Sequence, residues 1–63
     1  MWSKLIDCGN GYEAESWRDV LNAEAVSVRI VPPLEAPISM LTPREIWVPD
    51  SKTHVAREVM RKV

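Results

Sequence analysis

Apolar and polar side chains alternate along Val26-Ser27-Val28-Arg29-Ile30-Val31, and this two-residue period, with its β-branched content, predicts a β-strand. Val26, Val28 and Ile30 then share one face, and Pro32-Pro33 end the strand. Upstream, Lys4 to Cys8 read K-L-I-D-C, a short apolar run closed by Gly9-Asn10-Gly11, which predicts a buried first strand and a turn. Asn10 is a good N-cap and Glu13 stands three residues later, so each side chain can take the other's free backbone N–H. Ala14, Trp17, Val20 or Leu21, and Glu24-Ala25 keep helical spacing, with Glu15, Arg18, Asp19 and Asn22 opposite, and the helix is expected over about Gly11 to Glu24. A helix between two strands favours parallel strands with a right-handed crossover.

Residues 32 to 43 hold four of the five prolines, which excludes a helix or a central strand there. Leu34, Ile38, Met40 and Leu41 make this segment too apolar for a flexible linker, so it is expected to pack across the domain or against a partner. Ile38 to Leu41 could add an edge strand. Glu45-Ile46-Trp47-Val48 again reads as a strand, followed by Pro49-Asp50-Ser51 as a stop and a helix cap. In the second helix Val55, Val59 and Val63 fall at i, i+4 and i+8, widened by Ala56 and Met60, while Lys52, Arg57, Glu58, Arg61 and Lys62 stay in water.

These elements predict a small α+β domain of βαββα order spanning residues 1–63, a three-stranded sheet with two helices on one face. The other face is left bare. If Ile46 and Val48 point to the helices, Trp47 points to that face, with Leu5 and the Pro-rich segment as neighbours. Trp47, Leu34, Ile38, Met40, Leu41 and Leu5 are therefore the expected oligomer or partner contacts. Trp17 reads as part of the core and Trp2 as cover for an edge.

Length sharpens this expectation. A 63-residue chain buries only about 60% of the surface that its unfolded form exposes, so its stability is marginal and outside support is expected. The single cysteine excludes an intramolecular disulfide, and one cysteine with one histidine cannot make a structural zinc site unless carboxylates or a second chain complete it. No metal or cofactor is expected, and oligomerisation or docking on a larger protein is what remains.

Charge and composition narrow the function classes. Eight basic and nine acidic residues give a net charge of −1, and the best basic cluster, Arg57, Arg61 and Lys62, reads as a solvated helix end. Nucleic-acid binding is disfavoured. No apolar run approaches the ~20 residues of a bilayer span, and Met1-Trp2-Ser3-Lys4 opens no signal peptide, so no membrane partner and a cytoplasmic address are expected.

Candidate chemistry is sparse. Cys8 precedes a helix N-terminus, where a thiol can be activated, but a small buried hydrophobe at a sheet end explains it better. Gly9, Asn10 and Gly11 could cradle an anion or nucleotide on free N–H groups, although no Gly-Lys-Ser/Thr and no third spaced glycine accompany them. His54 has no partner placed by sequence and reads as a surface histidine. No catalytic residue stands out, so a non-enzymatic protein is expected.

Tyr12-Glu13-Ala14-Glu15 leading into Val20-Leu21-Asn22-Ala23-Glu24, then Val26-Ser27-Val28, and Ile46-Trp47-Val48-Pro49-Asp50 before Ala56-Arg57 resemble the DUF2007 family, labelled as prokaryotic signal-transducing proteins. The resemblance covers nearly the whole chain. It departs at Ala25, where members usually carry glycine just after the helix. The resemblance implies a bacterial cytoplasmic domain of ferredoxin-like or PII-like build, used for regulation or protein interaction, and carries over no catalytic residue. The expected function is a regulatory or interaction domain; the alternative is a small-molecule sensor that binds near Gly9 to Gly11.

Overall fold

The computed structural model describes residues 1–62. Five main elements follow in order: β1 (Trp2–Cys8), α1 (Gly11–Ala23), β2 (Arg29–Val31), β3 (Arg44–Pro49) and α2 (Thr53–Lys62), the last entered through a 3-10 turn at Asp50–Lys52. The result is a small α+β fold with a three-stranded antiparallel sheet and two helices. The sheet order is β1-β3-β2. Because β1 and β2 each pair antiparallel with β3, they run in the same direction, as expected of strands joined by a helix. They do not pair with each other, since β3 lies between them.

Burial along β3 alternates residue by residue, and its pairing carries the alternation to its neighbours. Arg44, Ile46 and Val48 face inward with Ser3, Ile6, Cys8 and Ile30. Glu45, Trp47 and Pro49 face outward with Trp2, Lys4, Asp7, Arg29 and Val31. The inward side meets Ala14 and Leu21 of α1 and Ala56 and Val59 of α2 in one core cluster, so both helices cover the same face. Val63, the third valine expected in the stripe of α2, lies outside the described residues.

Three local details correct the sequence reading. β2 is three residues long, where a strand from Val26 was expected. Val26 and Val28 still turn into the core, but continuing the register past Arg29 would bring Ser27 opposite Pro49, which has no N–H to donate. Leu5 is an extra residue in β1, bulged between Lys4 and Ile6, and it packs partly against the core rather than joining Trp47. No edge strand forms over Ile38 to Leu41.

α1 ends in a Schellman arrangement. Val26 N–H donates to the Leu21 carbonyl and Ala25 N–H to the Asn22 carbonyl, both at 3.0 Å, and the side chains of Val26 and Leu21 are buried together. Ala25 sits at the left-handed position with φ 62°. The helix therefore ends as a glycine-terminated helix would, with an alanine held in the strained conformation.

Candidate functional site

The face of the sheet turned away from the helices presents its side chains in three rows set by register. Asp7, Glu45 and Val31 form the first row. Lys4, Trp47 and Arg29 form the second, and Trp2 with Pro49 the third. β1, β2 and β3 hold all of them on extended backbone, so their spacing is fixed by the sheet itself.

Trp47, at the centre, is half-buried on this side. Its indole Nε1–H donates to Glu45 Oε1 at 3.1 Å. Arg29 lies opposite it on β2, and the Arg29 guanidinium carbon stands 4.6 Å from the centroid of the Trp2 ring, a cation–π distance. Lys4 Nζ lies 3.2 Å from Asp7 Oδ1 and 3.9 Å from Glu45 Oε2, so one ammonium serves two carboxylates. The face is thus aromatic and charged, with an acidic end and a basic, tryptophan-bearing end.

The Pro-rich segment lies elsewhere. Its carbonyls converge on Arg44, which is 1% exposed and points inward with Ile46 and Val48. The Arg44 guanidinium donates to the carbonyls of Pro32 at 3.0 Å, Pro33 at 2.6 Å, Ser39 at 3.0 Å and Thr42 at 3.3 Å. Met40 packs on the start of α1, where its carbonyl accepts from Gly11 N–H at 2.6 Å. Leu34 lines a small cavity of about 150 Å³ with Arg18, Val28 and Ile30, on the helix side of β2. Leu34 and Met40 are thus engaged by their own chain, while Ile38 and Leu41 are exposed. The structure does not bring these four residues together with Trp47 into one surface.

The predicted anion cradle is already filled by protein groups. Gly11 N–H is given to Met40, Glu13 N–H to Asn10 Oδ1 at 2.8 Å, and Gly9 N–H to Glu13 Oε2 at 3.3 Å. The capping exchange differs by one residue from the expected pattern, with the Glu13 carboxylate on Gly9 rather than on Asn10. That carboxylate and Asp7 also make the site electronegative. Burial first, then the charges of Glu13 and Asp7, push the Cys8 thiol up from its ordinary value. Cys8 is 2% exposed, so both access and thiolate formation are suppressed.

Sequence reasoning missed two residues. Arg44 lies just before the strand expected over Glu45 to Val48, and nothing nearby in the chain marks it as buried. Arg29 read as the exposed position of an alternating strand, which it is; the missing information was that β3 would bring it to Trp47 and Trp2. Among the described residues no helix is long and apolar enough to cross a membrane, and no group of three or more His, Cys, Asp or Glu is placed to hold a metal ion. No family model, no curated protein and no solved structure matches the chain.

Proposed function

We propose that this chain is a small non-enzymatic interaction or regulatory domain that works by oligomerising, or by docking as a small subunit on a larger protein, through the sheet face around Trp47. The observation that carries the reading is the pair of half-buried tryptophans, Trp2 and Trp47, with Arg29 stacked on the first and opposite the second in register, on a face that neither helix packs against. Tryptophan and arginine are the residues over-represented where interfaces concentrate their binding energy. The strand order β1-β3-β2 supports a ferredoxin-like or PII-like reading of the fold, in which a helix-connected pair of strands is split by a third. The resemblance to DUF2007 points to the same use in a bacterial cytoplasm.

The burial and raised pKa of Cys8 weigh against the nucleophile that an enzyme reading would need. The test is the Trp47→Ala variant, followed by sedimentation and by co-purification from the native cell. A weaker association or the loss of a co-purifying protein is expected, with the circular dichroism spectrum of the wild type retained. Unchanged association and unchanged co-purification would overturn the reading.

A further inference from the structure

The charge layout of the Trp47 face points to what covers it, an inference that rests on the interaction reading above. Asp7 and Glu45 stand directly opposite each other on neighbouring strands, where like charges repel, and Lys4 is the cation they share. That corner carries an excess of one negative charge. Arg29, at the other end, is exposed, and among the described residues no carboxylate lies within salt-bridge distance of it. Its guanidinium stacks on the ring of Trp2, which stands at the end of β1 remote from Asp7. The face therefore has one corner with two carboxylates to a single cation and, among the described residues, one cationic corner with no carboxylate in salt-bridge reach.

We propose that the occupant of this face is a second copy of the chain, related by a two-fold axis that runs across the strands at the level of Trp47. Such an axis lays β1 antiparallel over the partner's β1. It brings the Trp2 end of each β1, with the Arg29 guanidinium stacked on the Trp2 ring, against the Asp7 and Glu45 end of the other copy and sets Trp47 against its own counterpart. An isologous contact of this kind forms both ion pairs at once from a single surface.

The test is a charge exchange read by sedimentation equilibrium. Wild type is expected to self-associate, and Arg29→Glu and Asp7→Arg are each expected to weaken self-association at least about tenfold. An equimolar mixture of the two variants restores opposite charge at both contacts. At one, the carboxylate introduced by Arg29→Glu meets the guanidinium introduced by Asp7→Arg; at the other, the native Asp7 of the first variant meets the native Arg29 of the second. The mixture is expected to associate within about threefold of wild type. Circular dichroism verifies folding of each variant, and Glu45→Arg replaces Asp7→Arg if the latter unfolds. A monomeric wild type, or a mixture as weak as its components, overturns the proposal. In either event co-purification with Trp47→Ala separates the two readings. If a partner is lost or sedimentation shows weaker association, the interaction reading stands without the two-fold contact; if neither changes, both fall.

Discussion

Arg44 donates through Nη1 to the carbonyl of Pro33 at 2.6 Å, across eleven residues of chain. With Pro32, Ser39 and Thr42 also accepting from the same guanidinium, one buried cation collects the carbonyls of a segment that has no ladder of its own. Proline supplies no N–H, so residues 32 to 43 are rich in acceptors and short of donors. A guanidinium, with five N–H groups in a rigid fork, matches that imbalance better than any other side chain.

Arg44→Met is accordingly expected to lower stability by about 1.5–3 kcal/mol, the worth of a hydrogen bond to a charged donor, because the four carbonyls are only part-buried and water can reach some of them. Arg44→Lys should fall between, because an ammonium keeps the charge but cannot span the same acceptors. Urea denaturation midpoints check this. A loss below about 1 kcal/mol for Arg44→Met would mean that water replaces the guanidinium at little cost.

Much of the frame was legible because it rests on local rules. Asn10 before Gly11 marks the start of α1, and the alternation of Glu45 to Val48 places Trp47 on the face opposite the helices. What was illegible depends on residues far apart in sequence. Arginine is almost always exposed, so Arg44 gave no sign that acceptors five to twelve residues away would enclose it. The position of the Pro-rich segment followed from that enclosure and was equally hidden. Arg29 could be assigned to a face but not to a neighbour, because its contact with Trp2 reaches across the middle strand.

Ala25→Gly is expected to stabilise the protein. At φ 62° an alanine carries a steric cost that glycine does not, and the hydrogen bonds of the helix end are already in place. After the entropy that glycine loses on folding, a gain of about 1 kcal/mol remains, or about 4–8 °C in Tm for a domain of this size. A thermal scan that shows no gain would mean that the backbone at Ala25 relaxes out of the left-handed region.

Gly11→Ala acts in the opposite direction. A Cβ at this position would stand 2.9 Å from the sulfur of Met40 and 3.1 Å from its carbonyl oxygen. The sulfur can swing away, but the carbonyl is held by the Gly11 N–H itself. A loss of about 1–3 kcal/mol is expected, as for overpacking elsewhere. Met40→Ala in the same chain should recover only part of it, because it frees the sulfur's space and leaves the carbonyl contact. Full recovery in a double-mutant cycle would show that the backbone contact is compliant.

The pH dependence of stability is expected to carry the mark of Cys8. Its folded pKa is raised above the ordinary thiol value of 9.0, first by burial and then by Glu13 and Asp7, so the folded state holds the proton more tightly than the unfolded chain does. The contribution is fully present below the unfolded pKa and is lost as pH rises through the folded one. Urea midpoints of wild type and Cys8→Ala, compared from about pH 7 to about pH 11, isolate it, because the two proteins differ in this one ionisable group. The difference between the two should stay level to about pH 9 and turn against wild type above it. A difference that stays level throughout would place the thiol in a solvated setting, contrary to its 2% exposure between the sheet and α1.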